Sequence, residues 1–93
     1  MKFLVTYTWA PDSAARAEGI DRFQKTGGQP PRGTRLLGRW TRLDLSGGCA
    51  LIESDDPKVL AGFSLQWNDL MTLSIAPVLE DQDLAGVFER AAR

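Results

Sequence analysis

Proton-transfer chemistry is limited in this sequence, because its 93 residues contain no histidine. Histidine has the side-chain pKa closest to neutrality and is the commonest metal ligand, so its absence excludes Ser-His, Cys-His and histidine-metal sites within one chain. The remaining proton-transfer groups near a common cleft are Glu53, Asp69, Tyr7 and Cys49. We predict Glu53 as the first candidate for a catalytic base and Tyr7 as the second, and we expect neither a metal ion nor a cofactor.

The positions of Arg39 and Glu53 suggest that the two side chains meet. Each lies seven residues from Ser46, so a hairpin centred on Ser46 would place them opposite each other on neighbouring strands. One interpretation is a cross-strand ion pair, which contributes only about 0.2 to 1 kcal/mol. The other is a carboxylate on a pocket wall, held by the arginine and acting as a general base with a raised pKa.

Aromatic side chains are the second chemical resource of the sequence. Four of the eight aromatic side chains would meet where a cleft opens between a sheet and its helices. Three of these four lie near the ends of predicted elements. They predict a pocket for a flat apolar molecule, oriented by a hydroxyl and indole N–H groups. The alternative is that such large side chains fill the core of a small domain. The predicted ligand-binding residues are Tyr7, Trp9, Arg39, Trp40, Trp67 and Asn68.

Three further features have structural interpretations. Cys49 is predicted as a small buried side chain, and a single cysteine forms no disulfide within the chain, which fits a reducing cytoplasm. The glycine-rich stretch 27–33 follows a helix and lacks the ending of a phosphate-binding loop, so we interpret it as a helix stop and a linker. Glu80, Asp81 and Asp83 are interpreted as acids in the first turn of a helix, where they favour its dipole, and not as a cation site.

The elements that position these residues follow from periodicity and turn signals. Alternation from residue 2 to residue 9 is typical of a strand. Asp12 or Ser13 can cap a helix whose apolar stripe includes Ala17 and Ile20, with Phe23 or Gln24 as a further member, and Pro57 marks another helix start. The pattern predicts strands over residues 2–9, 34–41, 48–54 and 71–79, and helices over residues 14–25, 57–68 and 80–93.

This order, βαββαβ with a C-terminal helix, predicts one α+β domain over residues 1–93 with a ferredoxin-like fold, in which two helices cover one face of a four-stranded antiparallel sheet. The other face needs a cover. The candidates for that face are Leu4 or its neighbours on the first strand and the apolar half of the last strand, Leu73, Ile75 and Pro77. They favour a face-to-face homodimer.

Several segments resemble an uncharacterised bacterial family of small domains. They are Met1 to Trp9, Thr26 to Pro31, Leu37-Gly38-Arg39-Trp40, Gly47-Gly48 with Leu51-Ile52-Glu53, Leu65 to Leu70 and Pro77 to Asp81. The resemblance implies the dimeric α/β-barrel fold, shared with muconolactone isomerases, antibiotic-biosynthesis monooxygenases and stress-responsive barrel proteins. Those monooxygenases use asparagine and tryptophan without a cofactor, which is the functional interpretation of Trp67 and Asn68. Similar sequences often have histidine where this one has Thr41, so no role of that histidine is carried over.

The sequence excludes several functions but does not determine one. The formal net charge of −1 argues against a nucleic-acid partner, the apolar runs are too short to span a membrane, and the first residues lack the pattern of a signal peptide, so we expect a cytoplasmic protein. The favoured function is binding of a small apolar or aromatic molecule by a homodimer. A cofactor-independent isomerase or monooxygenase and a non-catalytic assembly module remain as alternatives.

Overall fold

The structure, a computed structural model, is described for residues 1–92. The strands and helices follow one another in the order that the sequence predicts. The first strand spans the predicted residues, and the second helix begins at Pro57, as predicted. The elements are β1 (Lys2–Trp9), α1 (Ser13–Thr26), β2 (Arg35–Thr41), β3 (Gly47–Glu53), α2 (Pro57–Trp67), β4 (Met71–Val78) and α3 (Asp81–Ala91).

The four strands form one sheet in the order β2-β3-β1-β4, and every neighbouring pair is antiparallel. This is the split βαβ arrangement, so the predicted α+β ferredoxin-like fold is confirmed. None of the helices within residues 1–92 is long and apolar enough to cross a membrane.

Alternation along β1 separates the two faces of the sheet. Phe3 and Val5 are buried on the face that the helices cover, which we call the covered face. Their neighbours in the core are Ile52 of β3 and Leu60 of α2, each about as buried as Val5. Leu4 lies on the opposite side, which we call the open face, because successive side chains of a strand point in opposite directions.

The helix starts follow the capping signals of the sequence. Asp12 accepts a hydrogen bond from the Ala14 N–H at 2.9 Å, and Asp56 accepts one from the Lys58 N–H at 3.0 Å. Each carboxylate satisfies an amide that the helix itself leaves without a partner. The predicted apolar stripe of α1 is wrong at Ala17 and Ile20, however. Ile20 is exposed and the buried residue is Gly19, because the helix approaches the sheet through its position without a side chain.

The hairpin between β2 and β3 corrects the predicted pair of Arg39 and Glu53. Arg39 lies opposite Ala50, and Glu53 lies opposite Arg35. The turn is centred between residues 44 and 45 and not on Ser46, and the register shifts at a bulge between Leu36 and Gly38. Two residues that are equally distant from Ser46 therefore do not face each other.

A polar network holds this turn. The Asp44 carboxylate accepts hydrogen bonds from the Ser46 N–H at 3.1 Å and the Ser46 hydroxyl at 2.7 Å, and the Arg42 guanidinium lies 3.3 Å from it. These donors hold the pKa of the Asp44 carboxyl well below its ordinary value, the Ser46 hydroxyl contributing most.

Replacing Asp44 with asparagine should lower stability near neutral pH and have progressively less effect in acid. Because the folded-state pKa is depressed, the charge of Asp44 stabilises the fold above the unfolded pKa of about 4, and this contribution fades as the pH falls below it. Urea unfolding of the wild type and Asp44→Asn, between about pH 6 and pH 2, should show the two curves converging. Asp55→Asn is the control, since that exposed carboxylate has a single charged partner among residues 1–92, the N-terminal amine at 3.9 Å. A constant gap across this range would refute the role of the charge.

The composition of the open face differs from the prediction. Leu73, Ile75 and Pro77 pair with Tyr7, Val5 and Phe3, so the apolar half of β4 belongs to the covered face. The open face of β4 carries Thr72, Ser74, Ala76 and Val78 instead, beside Leu4 of β1 and Leu51 of β3.

Helix α3 extends away from the body of the chain. Leu84, Val87 and Phe88 recur on one side of this helix, and all three are exposed. The chain measures 55 Å along its longest axis and has a radius of gyration of 15.5 Å, whereas a compact chain of this length has one of about 12 Å. The apolar side of α3 therefore finds no cover within residues 1–92.

Candidate functional site

An apolar pocket lies between the covered face of the sheet and the helices, with a cavity volume of about 70 Å³. Its sheet wall contains Val5, Ala50, Ile52 and Leu73, which belong to β1, β3 and β4. A cavity that holds benzene measures about 150 Å³. A ligand with one ring therefore requires movement of rim side chains.

Tyr7 and Trp9 form one end of the pocket. Their ring centroids are 6.1 Å apart and their planes meet at 82°, which is the edge-to-face arrangement that aromatic rings favour. Trp9 packs against Gly19 of α1, where an added Cβ would lie 2.1 Å from the Trp9 ring. The Tyr7 hydroxyl makes no hydrogen bond to any other residue of the described chain, so it is available to a ligand or to water.

Trp67, at the end of α2, forms another wall and is 8% exposed. The guanidinium of Arg22 lies over its ring, 5.4 Å from the centroid. Arg22 also donates hydrogen bonds to the Gln66 carbonyl at 2.7 Å and to the Asp69 carboxylate at 3.1 and 3.2 Å. Helix α1 is thereby tied to the end of α2, and Trp67 is held in place.

The Arg22 guanidinium lowers the pKa of Asp69, mainly through these hydrogen bonds. Asp69 is therefore held as an ionised partner of Arg22, whereas a general base near neutrality needs a raised carboxyl pKa. This contact assigns Asp69 a structural role beside the pocket.

Arg39 of β2 lines the pocket and contacts the glycine loop that follows α1. It donates hydrogen bonds to the carbonyls of Gly28 at 2.7 Å and Gly27 at 3.3 Å, and its guanidinium lies 4.7 Å from the centroid of Phe23. Gly27 and Gly28 have φ values of +71° and +61°, which confirms the predicted helix stop. A Cβ on Gly28 would lie 2.5 Å from the Phe23 ring, so this rim is tightly packed.

The pocket gathers four of the predicted ligand-binding residues, Tyr7, Trp9, Arg39 and Trp67. Trp40 lies outside it, on the open face opposite Cys49, with 59% of its surface exposed. Cys49 is thus half-buried on that face, whereas the sequence predicted a buried side chain.

Asn68 and Glu53 also lie outside the pocket. Asn68 is exposed at the C-terminal end of α2, where its N–H donates to the Ser64 carbonyl at 2.8 Å. Glu53 shares the open face with Lys2, its partner in the sheet, and it points away from Ile52 and the pocket. A base on the open face would not reach a molecule bound between the sheet and the helices.

A family of domains of unknown function, DUF3303, matches residues 1–92 of this sequence. The chain belongs to the DUF3303 family. No curated protein matches it. Its fold is similar to the solved structure of Rv0793 from Mycobacterium tuberculosis, with 12% sequence identity, a TM-score of 0.53, and coverage of 87% of this chain and 98% of that one. At this identity the likeness concerns the fold.

Sequence reasoning missed several pocket residues of this DUF3303 domain. Phe23 and Pro30 stand at its rim, Leu36 comes from the edge strand β2, and Phe63 comes from α2. Phe63 was readable as part of an apolar helical stripe, but a stripe does not distinguish a filled core from a pocket wall. Pro30 lies in a stretch without periodicity, where no signal of pocket lining exists.

Proposed function

We propose that the protein is a homodimer that binds a small apolar or aromatic molecule in the pocket between the sheet and its helices. The observation that carries this proposal is the composition of the walls. Most of the lining side chains are apolar, and polar groups are present on Tyr7, on Arg39 and on the indole rings of Trp9 and Trp67. Ligand pockets commonly combine apolar walls with a few polar groups that orient the ligand.

A second copy of the chain is the occupant that best suits the open face. The surface of the chain is 6644 Å², whereas a compact chain of this mass exposes roughly 5,300 Å². The excess of roughly 1,300 Å² exceeds the roughly 800 Å² that each partner buries in a standard interface. The open face around Leu4 and the apolar side of α3 supply this excess surface.

Catalysis without a cofactor is the alternative function, and the surroundings of the Tyr7 hydroxyl favour it. Tyr7 lines the pocket, and its hydroxyl has no hydrogen-bond partner among residues 1–92. Since Glu53 points to the other face, Tyr7 is the proton-transfer candidate with access to a bound molecule. In this alternative, Tyr7 donates a proton or a hydrogen bond to a polar atom of the substrate.

Replacing Tyr7 with phenylalanine should leave the free energy of unfolding within about 0.5 kcal/mol of the wild type, since the hydroxyl bonds to no described residue. Urea unfolding checks this expectation. A loss of more than about 1.5 kcal/mol would show that the hydroxyl has a partner in the folded protein and is not free for a ligand.

Native mass spectrometry of the purified protein tests the proposed function. We expect the mass of a dimer plus the mass of at most one bound small molecule per chain. The bound molecule should be released when the protein is denatured. Addition of phenol should produce the same complex if the protein is isolated empty. A monomer that takes up neither a cellular molecule nor phenol at millimolar concentration would contradict the proposal.

A further inference from the structure

Arg39 has a half-buried guanidinium whose donors are only partly used. It forms two hydrogen bonds, to the carbonyls of Gly28 and Gly27, and it stacks on Phe23. A guanidinium has five N–H donors, so three remain without a partner in the described protein. Uncharged carbonyls orient the group but leave its positive charge uncompensated.

The charges around the pocket make this arginine distinctive. Among the described residues that line the pocket, Arg39 alone carries a charge. No carboxylate of residues 1–92 forms an ion pair with it, because Glu53, the partner that the sequence suggested, lies opposite Arg35 on the open face. Four other basic side chains of residues 1–92 do have an Asp or Glu partner, namely Lys2, Arg22, Lys25 and Arg42.

We propose that the pocket binds a small carboxylic acid, with its apolar body against the aromatic walls and its carboxylate on Arg39. This proposal rests on the proposed function and names the chemical class of the ligand. The planar guanidinium matches a carboxylate with two parallel hydrogen bonds, and a single cation in an apolar site matches a single negative charge. Because the cavity measures only about 70 Å³, the body is at most a short branched chain, or one ring that enters when the rim side chains move.

The contacts of Arg39 also explain how the acid is received. Hydrogen bonds to Gly27 and Gly28 fix the guanidinium before a ligand arrives, so little side-chain freedom is lost on binding. The exposed ring of Phe23 supports the opposite side and forms part of the rim. A carboxylate at this rim would remain close to water while the ring of the acid enters the pocket.

The test compares benzoate with benzamide, which have the same ring and nearly the same shape but differ in charge at neutral pH. Calorimetric or ligand-observed NMR titration should show the wild type binding benzoate about tenfold to a hundredfold more tightly. Arg39→Gln should lose this preference and Arg39→Lys should retain part of it. Arg35→Gln is the matched control, because Arg35 is an exposed arginine on the same strand, and it should behave as the wild type.

Each of the other outcomes would refute a different part of the proposal. Equal binding of benzoate and benzamide by the wild type would refute the carboxylic acid and leave the apolar pocket intact, a comparison that does not depend on any variant folding. An unchanged preference in a folded Arg39→Gln would refute the role of Arg39. Failure of both probes to bind at millimolar concentration would contradict the proposed function itself, and the inference with it.

Discussion

Replacing Gly47 with alanine should destabilise the protein by about 1 to 3 kcal/mol, because strand β3 passes too close to β1 for a side chain at this position. A Cβ on Gly47 would lie 2.0 Å from the Tyr7 carbonyl oxygen and 3.1 Å from the Thr8 Cα. Both neighbours are backbone atoms of a hydrogen-bonded strand, so they cannot rotate away as a side chain does. Relief requires the two strands to separate at the end of the sheet that carries Tyr7.

Urea unfolding at one protein concentration measures this effect, since the stability of a dimer depends on concentration. Gly62→Ala is the matched control. Gly62 is exposed within α2, and apart from the adjoining backbone of the helix no atom of residues 1–92 lies within 4 Å of an added Cβ. Alanine should therefore stabilise the helix by up to about 1 kcal/mol. If Gly47→Ala unfolded within about 0.5 kcal/mol of the wild type, the close approach of β3 to β1 would be wrong.

Replacing Leu4 with glutamate should convert the proposed dimer to a monomer at micromolar concentration. Leu4 lies on the open face, opposite Leu51 of β3 and Ala76 of β4, and it is partly exposed within a single chain. The folded monomer can therefore accommodate a charge there. In a face-to-face dimer the same carboxylate would be buried without a partner, at a cost of several kcal/mol that weakens association more than a hundredfold.

Sedimentation equilibrium distinguishes the two states. Leu65→Glu is the control, since Leu65 is exposed on α2 at 76% and belongs to neither the open face nor α3. Phe88→Ser extends the test to α3 and should weaken the dimer to a lesser degree. A wild type that remains monomeric at micromolar concentration, or a Leu4→Glu protein that dimerises as tightly as the wild type, would refute this interface.

Much of the fold was predictable from short-range patterns. The alternation of Phe3, Val5 and Tyr7 with residues of the opposite face is a local property of one strand. Asp56 followed by Pro57 marks the start of a helix through two backbone constraints. The helix stop at Gly27 also follows from a local requirement, a positive φ. Such features do not depend on which elements finally pack together.

Long-range pairing was less accessible. Leu45 has a φ of +60°, which a turn normally assigns to glycine or asparagine, so its sequence does not mark the true centre of the hairpin. The bulge between Leu36 and Gly38 adds a second shift of the register, and a single glycine within a strand does not fix where such a shift occurs. These two irregularities separated Arg39 from Glu53 and left Glu53 on the other face.

The candidate site was predicted in its chemistry more than in its membership. Aromatic residues at strand and helix ends indicated a pocket, and Tyr7, Trp9 and Trp67 do line one. Trp40 does not, because its parity on β2 depends on the same register that the bulge alters. The uncompensated charge of Arg39 could be recognised only after the structure had placed Glu53 elsewhere.

The three tryptophans allow the central claim, a ligand pocket between the sheet and the helices, to be measured directly. Trp9 and Trp67 line the pocket, whereas Trp40 lies on the open face and serves as an internal control. In a proton–nitrogen correlation spectrum at constant protein concentration, titration with benzoate, benzamide and phenol should move the indole signals of Trp9 and Trp67 along a saturable curve. The Trp40 signal should stay in place. Movement of Trp40 alone, or no movement of any indole signal at millimolar concentrations of all three probes, would contradict the account.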